Sequence, residues 1–159
     1  MQDVNVVIVF YSRTGTTEKL ALAAAVGAVQ GKANIRLRRI PETAGEEEIA
    51  RLPGWKESHD RMSWEYIAPR EADAAWAEGL VVAIPEWMDL ASPEVKNCLD
   101  ALPGGKVAAA LGRAGLDQAL TAAGMTLVQP ETGEDALDSA RLAGVRVAET
   151  ARAARQNQP

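Results

Sequence analysis

Val4-Asn5-Val6-Val7-Ile8-Val9-Phe10, followed at once by Tyr11-Ser12-Arg13-Thr14-Gly15-Thr16-Thr17-Glu18, is the stretch on which the fold turns. Its first half is apolar apart from Asn5 and rich in β-branched residues. A run so short and so continuous reads as a strand buried on both faces, as in a parallel sheet. From Thr16 to Val29 the chain is rich in Ala and Leu and free of Pro, so a helix follows, with Gly31 as its stop.

The same grammar continues downstream. Asn34 to Ile40 alternates apolar residues with Arg, a second strand ended by Pro41. Gly79 to Ile84 is a third strand, again buried on both faces and stopped by Pro85. Ser92 caps and Pro93 opens a helix that runs to about Leu102. Lys106 to Leu111 is the fourth strand, Leu116 to Ala123 a short helix, and Met125 to Val128 the last strand. Thr132, with Asp135 three residues on as in a capping box, starts a long helix to about Ala154. Between Pro41 and Ala77 the pattern is poor. It reads as a long connection with short helical turns, one at Glu46 to Leu52, carrying Trp55, Trp64 and Trp76. These aromatics either cover a site or a neighbouring subunit, or pack on the domain. The alternation predicts a three-layer α/β architecture in a single domain over residues 1–159. At its centre is a doubly wound sheet of five parallel strands in order 2-1-3-4-5, whose ligand lies at the carboxyl ends of strands 1 and 3.

Composition narrows the chemistry. The chain has 159 residues, of which 47% are hydrophobic and 25% charged, enough to bury a core. A net charge of −5 argues against nucleic acid as a partner. The basic segment Lys32 to Arg39 reads as a solvated strand edge. One cysteine, Cys98, and one histidine, His59, rule out a disulfide framework, a Cys-x-x-Cys pair, a zinc site and multi-His metal chemistry. No metal site is expected, and no catalytic acid or base. The start lacks the pattern of a signal peptide, and no uncharged stretch has membrane-spanning length. The expectation is a cytoplasmic protein with no membrane partner.

The turn after the first strand carries the functional argument. Backbone N–H groups and the positive end of the helix dipole point into it. A phosphate there would meet those donors and the hydroxyls of Ser12, Thr14 and Thr17, with Gly15 allowing close approach. The turn has neither Gly-x-x-x-x-Gly-Lys-Ser/Thr nor Gly-x-Gly-x-x-Gly. Ser12 to Thr17 holds no acidic residue, which suits a phosphate monoester held by neutral donors. The competing reading is a capped helix after a polar turn. Across the switch point lies Pro85-Glu86-Trp87-Met88-Asp89. There Trp87 offers a flat face and Met88 a polarizable one to a ring system, or Trp87 packs on the next helix. Gly112-Arg113-Ala114-Gly115 either closes a third side of that pocket or is a plain turn.

On these residues the chain resembles flavodoxin-like flavoproteins, most closely the WrbA-type NAD(P)H:quinone oxidoreductases. The turn Phe10 to Ala21 looks like that family's phosphate loop and first helix, and Ser92-Pro93-Glu94-Val95-Lys96-Asn97-Cys98-Leu99-Asp100 like its third helix. Ile35 to Glu42, the approach to the third strand through Ala72-Asp73-Ala74, and Ala140 to Ala148 also match. The resemblance implies FMN and two-electron transfer from NADH or NADPH to a quinone-like acceptor, in a homo-oligomer that is a dimer or tetramer. It places Ser12, Arg13, Thr14, Gly15, Thr16 and Thr17 on the phosphate. It sets Pro85, Glu86, Trp87, Met88, Gly112 and Arg113 about the ring. Two departures stand out. The family's Thr-Arg-Phe-Gly-Asn after the proline is replaced by Glu86-Trp87-Met88-Asp89-Leu90. The long polar segment between strand 4 and the next helix is cut to Gly112-Arg113-Ala114-Gly115. Two other functions therefore stand beside the enzyme: a flavodoxin-like electron carrier that docks on protein partners, and a non-catalytic member with weak or lost FMN binding.

Overall fold

The computed structural model describes residues 3–129 and 131–157. Their elements run β1 (Val4–Phe10), α1 (Thr16–Gln30), β2 (Ala33–Arg39), α2 (Glu46–Arg51), α3 (Trp55–Glu65), α4 (Glu71–Trp76) and β3 (Gly79–Ile84), followed by α5 (Pro93–Asp100), β4 (Val107–Gly112), α6 (Leu116–Ala122), β5 (Thr126–Leu127) and α7 (Ala136–Gln156). All strand pairs are parallel, and the sheet order is β2-β1-β3-β4-β5, as the sequence predicts.

β1 sits between β2 and β3, and its continuous apolar run divides by parity. Val4, Val6, Ile8 and Phe10 enter one core with the inner faces of α1 and α7. Val7, Val9 and Tyr11 enter a second core with Val95 of α5 and Leu116 and Leu120 of α6. Each such large aliphatic side chain contributes about 1.5–3 kcal/mol when fully buried. On the first face α1 and α7 cross so closely that glycine is required at the contact. A methyl group on Gly27 would lie 1.8 Å from the Arg141 carbonyl oxygen, and one on Gly144 2.0 Å from that of Ala24.

Five local expectations change. The connection between β2 and β3 forms the helical turn expected at Glu46 to Leu52 as α2, and adds two further helices, α3 and α4. Arg36 and Arg38 are no solvated edge: both grip the carboxylate of Asp73 on α4, at 3.1 and 2.8 Å, while Arg39 is buried. The long last helix is capped by Asp135, which accepts from the Asp138 N–H at 2.8 Å, rather than by Thr132. The acidic residue read as the far end of a box is thus itself the cap, one turn later. Ser92 takes the N-cap position of α5, yet its hydroxyl is buried without a partner. β5 pairs over only two residues, shorter than Met125 to Val128.

Two expected outcomes follow from this packing. Gly144→Ala should lower stability by about 1–3 kcal/mol in a thermal melt, and Gly27→Ala with Gly144→Ala should lose less than the sum, because both relieve one crossing. Burial works against ionisation of Asp73, but Arg38, the Arg70 N–H and Arg36 outweigh it and hold the carboxyl at about 2. Its folded pKa is below the usual value near ~3.9, so its stabilisation is complete above about pH 4 and lost as pH falls through about 2. Asp73→Asn should cost about 3 kcal/mol at neutral pH and flatten stability across that acid window in urea titrations.

Candidate functional site

The chain leaves β1 where the sheet reverses direction. Phe10 stands in register with Arg39 of β2 on one side and Ala83 of β3 on the other, and Tyr11 N–H still donates to the Ala83 carbonyl at 3.1 Å. Ser12 is buried, and its hydroxyl accepts from the Gly15 N–H at 3.1 Å, which closes the turn. Gly15 adopts φ 100°, a left-handed conformation open to glycine, and α1 begins on the next residue. No side chain caps α1. Its first N–H groups therefore lack partners within the helix, and the positive end of its dipole faces out. Thr14 and Thr16 are exposed and Thr17 is largely buried; their hydroxyls make no hydrogen bond among the described residues. Ser12 is thus spent on the turn, while three hydroxyls and the backbone donors stay free.

Glu18 in the first turn of α1 would repel an anion, but its charge is answered. Arg61 of α3 donates to it at 2.6 and 2.9 Å, and the Tyr66 hydroxyl donates at 2.6 Å. The Arg61 hydrogen bonds outweigh burial and keep the carboxyl below the ordinary carboxylate range. Arg61 Nη2 lies 3.9 Å from the point where a Gly15 methyl would stand, so a guanidinium borders the turn. Neither Arg61 nor Tyr66 is visible in the sequence as a site residue. Both arrive from the connection between β2 and β3, and the only signal there was its length and aromatic content.

Arg13 does not point at the turn. Its guanidinium carbon lies over the ring of Trp55 at 4.2 Å and over that of Trp87 at 4.4 Å, and its Nε donates to the Tyr11 hydroxyl at 3.0 Å. Tyr11 donates in turn to Glu42 at 2.6 Å. Burial first, and then this carboxylate, push the Tyr11 hydroxyl well above the ordinary phenol range, which keeps it a donor. Trp55 is buried and Trp87 is 58% exposed, with its ring edge-on to Tyr11. Trp87 thus presents a flat face, already partly covered by Arg13.

The second and third loops are tied together. Pro85 is buried and Glu86 exposed. Met88 lies in the core with Tyr11 and Leu116, so its sulfur faces the interior rather than a ring outside. Gly112 has φ 90°, and a methyl group there would meet the Ile84 carbonyl oxygen at 2.0 Å. Arg113 donates from its N–H to Ile84 at 2.9 Å and from Nε to the Met88 carbonyl at 2.8 Å. A cleft of about 840 Å³ opens beside this junction and takes in Glu86, Gly112 and Arg113, though none of Ser12 to Thr17. The predicted residues therefore fall into four places: the turn, the Arg13 stack, the core and the cleft.

No protein-family model matches the chain. Among solved structures, a flavodoxin from the domain Archaea superposes with a TM-score of 0.63 at 14% identity, covering 94% of this chain and 99% of that one. A diflavin flavoprotein from Nostoc gives 0.61 at 11% identity, with 98% of each chain covered. The chain has the flavodoxin fold. By sequence, this flavodoxin-fold protein is similar to an NAD(P)H dehydrogenase (quinone) of Deinococcus radiodurans, 33% identical over 101 residues, or 64% of this chain and 50% of the relative. Its counterpart in Archaeoglobus fulgidus is 30% identical over 96 residues, or 60% of this chain and 49% of the relative. The chain thus spans about half the length of the curated relatives it matches. Among the described residues no helix is long and apolar enough to cross a membrane, and no group of three or more His, Cys, Asp or Glu is placed to hold a metal ion.

The Arg13 stack has a direct readout. In a Trp64→Phe background, which removes the most exposed indole, Arg13→Ala should increase acrylamide quenching of tryptophan emission and lower stability by about 1 kcal/mol. Unchanged quenching would mean that Arg13 does not shield the two rings.

Proposed function

We propose that the protein is an FMN-dependent oxidoreductase of the NAD(P)H:quinone type, with the FMN phosphate on the N-terminus of α1. The observation that carries this reading is the turn itself: an uncapped helix start behind a left-handed Gly15, flanked by three hydroxyls that make no hydrogen bond among the described residues. Such a donor set, neutral and backbone-rich, suits a phosphate monoester. The names of the similar sequences, NAD(P)H dehydrogenase (quinone), support the redox assignment. FMN, when bound, supplies the two-electron chemistry between a nicotinamide and a quinone.

The chain's own residues bind and orient. Thr14, Thr16 and Thr17 supply hydroxyl donors, Ser12 holds the turn, and Arg61 keeps the Glu18 charge from opposing the phosphate. Trp87 offers its exposed face to the ring. Arg113, bonded to Met88, fixes the loop that carries Trp87. No side chain acts as acid or base. A homo-oligomer is part of the reading: Leu22, Val26 and Val29 leave one face of α1 apolar and 40–53% exposed. One observation favours a second reading, a member that binds flavin weakly, because a ring seated between Trp55 and Trp87 must displace Arg13.

An FMN titration followed by quenching of flavin fluorescence tests the assignment. Thr14→Ala with Thr17→Ala should weaken FMN binding by about 1.5–3 kcal/mol for each hydroxyl lost. Riboflavin, which lacks the phosphate, should be unaffected. Equal losses for both ligands would remove the phosphate from this turn, and NADH or NADPH oxidation with a benzoquinone separates the enzyme from a carrier.

A further inference from the structure

The cleft beside Gly112 exists because the sheet stops early on that side. Val128 N–H donates to the Ala108 carbonyl at 2.9 Å, as Thr126 N–H does to Lys106 at 2.8 Å. Even-numbered residues of β4 thus face β5, and Ala110 is next. The bond that would continue this ladder, from the Ala110 N–H to the Val128 carbonyl, is absent among the described residues. Among the described residues no backbone bond joins Ala110 to the segment after β5. Ala110, half-buried on this edge of β4, lines the cleft in surroundings that include Leu20, Leu111, Leu127 and Ala140. Among the described residues its N–H has no partner on this side, and a half-buried donor of that kind favours a ligand that brings an acceptor.

The surroundings specify which. Polar lining comes from neutral groups such as Gln118, Thr121 and Ser139. Ionised groups at the cleft are Glu86, Asp117 and Glu131, and the cation Arg113 is already committed to the carbonyls of Met88 and Ala114 at 2.8 and 2.7 Å. An anion is repelled here, and a phosphate has nothing to pair with. A volume of about 840 Å³ is that of a small-molecule pocket rather than a surface dimple. We propose that this cleft is the acceptor site: it takes a neutral ring bearing carbonyl groups, a quinone, with one carbonyl oxygen accepting from the Ala110 N–H. The proposal rests on the quinone-reductase reading above and adds to it a place. The shared residues Glu86, Gly112 and Arg113 set the bound ring against the loops assigned to the flavin.

Duroquinone is the probe, because its fully substituted ring does not alkylate thiols. Titrated into the flavin-free, isotope-labelled protein, it should bind saturably and shift the Ala110 amide resonance among the most. Thr121→Trp and Ala136→Trp, on exposed positions at opposite walls, should each weaken that binding at least tenfold and raise the duroquinone KM in the FMN-loaded protein, with FMN affinity unmoved. Absence of saturable binding, shifts confined elsewhere, or equal affinity in both variants would overturn the site. Duroquinone binding without FMN binding would remove the flavoprotein assignment while leaving the cleft, and FMN binding without duroquinone in the cleft would do the reverse.

Discussion

Burial of β1 on both faces is the constraint from which the rest of the molecule takes its positions. A strand paired on both sides and covered by helices above and below has no freedom to shift register, since a one-residue slip would exchange its two side-chain sets between cores. Its carboxyl end is therefore a fixed point, and the turn at Ser12 begins there. The close approach of α1 and α7 at Gly27 and Gly144 fixes the other wall. The helix start is thus aimed by backbone contact rather than by long side chains, which is the rigidity that preorganised donors need.

Strand identity was legible because β3 is apolar without interruption and β1 is broken only by Asn5, and the sheet order followed from alternation with helices. The connection between β2 and β3 was not legible for a physical reason. α3 buries only Trp55 and Met62, seven residues apart, so it carries almost no periodic signal. It is held instead by charge: Arg61 to Glu18, and Arg39 reaching Ser63 and His59. Pairings of that kind join residues 20 to 43 positions apart and leave no mark on local pattern. The cap of α7 slipped from Thr132 to Asp135 because both positions offer a short oxygen-bearing side chain with an acidic residue three positions on.

The candidate site divides in the same way. The turn could be read because its donors belong to the backbone and to hydroxyls local in sequence. Side-chain direction in loops has no period, so nothing in the sequence separated Trp87, which faces out, from its neighbour Met88, which faces the core. The family resemblance places Arg13 on the anion, whereas two indoles brought together from separate loops give its charge a different seat. In the sequence the third loop shows only as a segment shortened against the family pattern. In the folded chain it lies at the mouth of a cavity, so a deletion relative to the family pattern is also a change in shape.

The edge formed by β2 has one more consequence. Ile67, in the segment between α3 and α4, bridges to Arg38 and accepts the Arg39 N–H at 3.0 Å, while Arg36 and Arg38 fold back onto Asp73. The carboxyl end of this outer strand is thus covered by the chain itself and flanked by two arginines, which hinders an incoming strand from pairing there. A strand that approaches this end of the margin must displace that bridge before its own backbone can pair there.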